Sequence, residues 1–90
     1  MAYSDAGEVD QTLRATLCDV LGLEAERVAA FTEATPLLGA LPEFDSMAVA
    51  GLLTELEERL GILIEDHEVD AEMLESYGHL LTFARAKALR

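Results

Sequence analysis

Apolar residues return at helical spacing in three stretches of the chain, and each stretch is bracketed by residues that start and stop helices. Val9, Leu13, Leu17, Val20 and Leu21 recur in this way, which puts one apolar stripe on a helix. Ser4 or Asp5 can cap its start and Gly22 can end it, so the pattern predicts a first helix near residues 6 to 21. Val49, Leu52, Leu53, Leu56 and Leu60 form the clearest stripe. Ser46 stands at its N-cap position, and Gly61 is a natural C-terminal stop. Ile62 and Ile64 follow as a short extended segment. Asp70 can cap a short third helix through Met73 and Leu74. Ser76 can cap a fourth, with Leu80, Leu81, Phe83, Ala84 and Leu89 facing inward. Arg85, Lys87 and Arg90 lie near its C-terminal end, where positive charge suits the helix dipole. Residues 23 to 45 carry Pro36, Gly39 and Pro42 and no sustained period. They read as a long ordered loop anchored by Val28, Phe31, Leu37 and Leu38, and loops of this length are usually functional or disordered.

The expected fold is therefore all-α: a four-helix bundle of three longer helices and one short one, with a long first loop. Ninety residues make one domain, residues 1–90 with a core over about 6–88, since domains run from about 50 to 250 residues. Acids outnumber bases 18 to 6, for a formal charge of −12. Phosphate backbones repel such a surface, which argues against nucleic acid as a partner. The same field favours a monomer and attraction to basic protein surfaces. A hydrophobic fraction of 51% is too high for a disordered acidic chain. The acidic N-terminal stretch is unlike a signal peptide. No run approaches the roughly 18 to 20 apolar residues of a membrane span. Cys18 is the one cysteine, so no internal disulfide forms, and a reducing, cytoplasmic setting is expected. Its plain reading is a small buried hydrophobe.

The usual catalytic constellations are absent, and the chain is not expected to be an enzyme. His67 and His79 lie apart, and neither stands at metal-ligand spacing from a second ligand. No nucleophile elbow, P-loop or dinucleotide fingerprint is present. Glu57-Glu58 and Glu65-Asp66 are adjacent carboxylates, and chain neighbours do not face each other. That leaves Ser46, between Asp45 and Met47. An N-cap serine is ordinary on its own. This one follows a long loop and opens a helix that turns acidic at Glu55, Glu57 and Glu58. A hydroxyl at a helix N-terminus suits a phosphate group, because the unpaired N–H groups and the dipole favour an anion there.

With Asp45-Ser46-Met47 in this setting, the sequence resembles the acyl carrier proteins, whose motif is Asp-Ser-Leu. The resemblance runs from about Val9 to Ala88. Leu56-Glu57-Glu58-Arg59-Leu60-Gly61-Ile62 is similar to the family's second helix and its exit, and Ser76-Tyr77-Gly78-His79-Leu80 to the entry of its last helix. Leu23, Val28 and residues 35–39 resemble its first loop. The resemblance implies that a phosphopantetheinyl transferase moves 4′-phosphopantetheine from coenzyme A to Ser46, flanked by Asp45 and Met47. It implies that the prosthetic thiol carries an acyl group as a thioester. Acyl-loading and acyl-transferring enzymes with basic surfaces are the implied partners. An aminoacyl or peptidyl cargo, or an unmodified acidic adaptor, are the other readings.

Two departures matter. Met47 replaces leucine, conserving volume while adding adaptability. Ala48, Ala50 and Gly51 stand where familiar fatty-acid carriers place acids, and here the acids begin at Glu55. This wording is similar to dedicated carriers found beside bacterial exosortase and exopolysaccharide systems. The partner surface is expected on the second helix: Met47 as apolar anchor, Ala48 and Gly51 for close approach, Glu55 and Glu58 as steering charges. Val49, Leu53, Leu56, Ile64, Leu74 and Leu81 are expected to share an apolar seam. Residues 66 to 76 are the segment expected to move, for want of apolar anchors.

Overall fold

The computed structural model describes residues 6–89. Ser4, Asp5 and Arg90, expected at helix ends, lie outside the described residues. The order is α1 (Ala6–Leu21), α2 (Ala25–Ala29), α3 (Ser46–Leu60), a single 3₁₀ turn (Asp66–Glu68) and α4 (Tyr77–Ala88). The all-α expectation, three long helices and a short one, stands. Among the described residues there is no strand, and the one β-bridge pairs Pro36 with Ser76.

α1 is the spine of the bundle and packs against α2, α3 and α4. Its stripe of Val9, Leu13, Leu17 and Leu21 is buried. Thr16 is buried on the same helix, and its hydroxyl donates to the Thr12 carbonyl at 2.7 Å. α3 buries Leu52, Leu56 and Leu60, each worth about 1.5–3 kcal/mol of apolar transfer. Gly61 ends it at φ 66°, a left-handed cap conformation that costs a residue with a Cβ. α4 starts where the Ser76 hydroxyl accepts the His79 N–H at 3.2 Å, and it buries Tyr77, Leu80, Leu81 and Ala84.

The loop readings need four corrections. The stretch 23–45 is not helix-free, because α2 lies in it. At the end of α2 the Val28 carbonyl accepts the Phe31 N–H at 3.0 Å, and Arg14 of α1 adds further donors to this end. Its Nη1 donates to Val28 O at 2.7 Å and its Nη2 to Phe31 O at 3.1 Å. The short helix expected after Asp70 is instead a turn: Asp70 Oδ1 accepts the Met73 N–H at 2.8 Å, and the 3₁₀ turn comes earlier. Met73 and Leu74 are buried, so the end of the 66–76 segment is anchored, contrary to expectation. Leu38 and Leu89, expected inward, are 40% and 36% exposed.

The first loop and the segment before α4 are stitched by their backbones. Leu37 N donates to Glu75 O at 2.9 Å, Leu38 N to Leu74 O at 3.1 Å and Tyr77 N to Thr35 O at 2.8 Å. Gly78 N reaches Glu33 O at 3.0 Å. A Cβ on Gly78 would stand 2.7 Å from that same oxygen. Only glycine allows the loop so close.

Candidate functional site

The start of α3 is set by two residues outside it. Phe44 is buried and ties down the end of the loop. Asp45 has extended backbone angles, and its Oδ1 accepts the Ala48 N–H at 2.8 Å. Asp45 is therefore the N-cap, and Ser46, expected there, is the first helical residue. The correction frees the serine. Ser46 is exposed, and its hydroxyl makes no hydrogen bond among the described residues. The Ser76 hydroxyl, by contrast, is occupied by His79 through its N–H and its ring Nδ1.

Outside its buried stripe of Leu52, Leu56 and Leu60, helical spacing sorts α3 into three lines. Ser46, Ala50, Leu53 and Glu57 border a groove of about 500 Å³, closed on its far side by Ile64, Asp66 and Val69. A second groove of about 390 Å³ shares Ser46, Val49 and Val69 with the first and adds Leu38 and Leu74. Ala48, Gly51, Glu55 and Arg59 lie toward α1. A Cβ on Gly51 would meet the Val20 side chain at 3.5 Å. Arg59 Nε donates to Glu55 at 3.0 Å and Nη2 to Asp19 of α1 at 2.8 Å. Met47 and Glu58 point outward, Met47 being 86% exposed, while exposed Thr54 stands at the rim of the first groove.

Of the residues expected to meet partners, the structure thus brings only Met47 and Glu58 to the outer line. Ala48 is partly buried on the core, and Gly51 faces the Val20 side chain of α1, where a Cβ would make only ordinary contact. Of the expected seam, Leu56, Leu74 and Leu81 are buried, while Val49, Leu53 and Ile64 are partly buried and line the first groove. The far wall is a strap held at two points. The Ile64 N–H donates to Glu57 Oε2 at 2.8 Å, and Lys87 Nζ donates to both Glu68 oxygens at 2.9 Å. Sequence reasoning missed Val69, which separates the two grooves, and the strap. An i,i+4 reading would have shown the Glu55–Arg59 pair, but nothing local points to Asp19.

Behind the site, Asp10, Arg14 and Tyr77 knit α1 to α4. The Tyr77 hydroxyl donates to Asp10, and the Arg14 guanidinium lies 4.6 Å over the Tyr77 ring. Burial alone would push the Asp10 carboxyl up. Hydrogen bonds from Tyr77 and Arg14, with the charges of Arg14 and Arg85, outweigh burial and hold it below its ordinary value. Burial, then the bond to Asp10, pushes the Tyr77 phenol well above its usual range. No group of three His, Cys, Asp or Glu among the described residues could hold a metal ion.

The family model described as phosphopantetheine attachment site matches residues 11–84. The chain belongs to this carrier family. The solution NMR structure of a holo acyl carrier protein from Nitrosomonas europaea is similar, with 38% identity and a TM-score of 0.77. The match covers 87% of this chain and 92% of that one. No curated protein matches the chain. As a carrier of this family the protein bears 4′-phosphopantetheine covalently and is not itself a catalyst. The residues present fit such a group: one exposed, unbonded hydroxyl beside a groove. No helix among the described residues is long and apolar enough to cross a membrane.

Proposed function

We propose that the Ser46 hydroxyl is the attachment point of 4′-phosphopantetheine, and that the protein carries acyl groups. The observation that supports this is the exposed Ser46 hydroxyl, unbonded among the described residues, at the mouth of the groove lined by Val49, Leu53, Ile64 and Val69. When bound, the prosthetic group supplies a thiol that holds cargo as a thioester. The chain's own residues do the rest. Asp45 fixes the turn that presents the serine, and the first N–H groups of α3 favour the phosphate. The smaller groove, bordered by Leu38, Val49, Val69 and Leu74, is the more apolar of the two, and such a lining favours an acyl cargo over an aminoacyl or peptidyl one, because burying unpaired polar groups costs free energy.

The outer line of α3, with Met47 at its head, serves as the docking face for the transferase and for acyl-loading and acyl-transferring enzymes. Residues 46–54 carry no charged side chain, which supports a dedicated carrier over a housekeeping one. Incubation with a phosphopantetheinyl transferase, magnesium and coenzyme A tests the site. One phosphopantetheine-sized mass increment is expected on the parent protein and none on Ser46→Ala. A loaded Ser46→Ala protein refutes the assignment.

A further inference from the structure

The chain carries a formal charge of −12, yet the docking end of α3 is uncharged. The helix holds three carboxylates, and they differ in what they meet. Glu57 borders the groove and accepts the Ile64 N–H. Glu58 is exposed on the outer line and is unbonded among the described residues. Glu55 is held at 3.0 Å by Arg59, the one basic residue of α3, whose other arm takes Asp19 at 2.8 Å.

A stability role explains this clasp poorly. Arg59 and Glu55 are about a third exposed, and Asp19 is 61% exposed. Surface ion pairs of that kind are worth about 0–1 kcal/mol. Their effect on an approaching protein is larger, since exposed charges act mainly on encounter rate and on discrimination between partners. One planar guanidinium answering two carboxylates cancels much of their field.

We propose that Arg59 is a specificity-determining residue of the carrier. By covering Glu55 and Asp19 it withholds an acidic lure at the α1-facing edge of α3, about two turns beyond Met47, and so fits α3 to partner enzymes whose docking surface is apolar and weakly basic. This rests on the reading of α3 as the docking face.

The test compares Arg59→Gln with the double variant Asp19→Asn, Glu55→Gln. Both break the same contacts, but the first uncovers two carboxylates and the second removes them. Each is assayed with two phosphopantetheinyl transferases, one with a basic docking surface and one with an apolar one. Arg59→Gln is expected to raise kcat/KM for the basic transferase about twofold to tenfold at low ionic strength, with the gain fading as salt is added. The apolar transferase should respond less than about twofold, and the double variant should not gain with either. Equal shifts in both variants would show that the clasp acts through the fold and overturn the proposal. So would equal shifts with both transferases, or no shift at all. Binding of each transferase to the same variants in a Ser46→Ala background reads association without modification. Failure of Ser46 to accept the group would then count against the site alone.

Discussion

A carboxylate that accepts the Ala48 N–H at 2.8 Å closes the first turn of α3, so the capping energy belongs to Asp45. Asp45→Ala should lower unfolding free energy by about 1 kcal/mol, and Ser46→Ala by only a few tenths. Urea unfolding of both variants checks this, and the reverse order would return the cap to the serine. Aspartate and serine are comparably good caps, and helix ends read from sequence shift by a residue or two. The motif was therefore legible while the division of labour inside it was not. Gly78 is a second single-residue case. Its alanine variant would set a Cβ 2.7 Å from Glu33 O and 2.9 Å from Glu33 Cβ. Since the nearest atom is backbone, relief requires the loop to move, and overpacking of this kind costs about 1–3 kcal/mol. An unchanged urea midpoint for Gly78→Ala would show that the loop yields freely.

The long helices were readable because their periodicity is local: Leu52, Leu56 and Leu60 repeat every fourth residue and all are buried. α2 was not readable, because a five-residue helix with one buried residue is braced at its end by Arg14, fourteen positions upstream of Val28. The strap was invisible for the same reason. Its bonds to Glu57 and Lys87 come from other elements. Glu57→Gln weakens a charge-assisted bond to Ile64 N, and hydrogen exchange at that amide should quicken while the Leu56 amide keeps its protection. The junction of α1 and α4 carries a pH signature. The native Asp10 carboxyl is held below its ordinary value of 3.8. A depressed carboxyl stabilises the fold above that ordinary value, and the contribution is lost as pH falls through the native one. Tyr77→Phe removes the hydroxyl that helps hold it there. The variant should be less stable than the parent by roughly 1–2 kcal/mol at neutral pH, and the gap should narrow below pH 3.8. A gap independent of pH would assign the loss to packing alone.

At the scale of the whole molecule, two electrostatic effects oppose each other. Eighteen acids and six bases repel one another's excess, and folding concentrates that charge within a Cα radius of gyration of 11.9 Å. Ion pairs such as Arg14–Asp10, Arg27–Glu43 and Lys87–Glu68 work the other way. Added salt weakens both. Arg27–Glu43 is exposed, and such a pair is worth about 0–1 kcal/mol, while Arg14–Asp10 and Lys87–Glu68 are partly buried and so less sensitive to salt. The repulsion runs over many pairs spaced widely enough to feel a Debye length shrinking from ~30 Å at 0.01 M to ~8 Å at 0.15 M. Repulsion should therefore be the larger loss, and salt should stabilise. A gain of about half a kcal/mol corresponds to a rise in Tm of about 2–4 °C for a domain of this size. Melting followed by circular dichroism across that range reads the sign directly. A falling midpoint would mean that the ion pairs, Arg59 among them, hold the bundle together more than they shape its field.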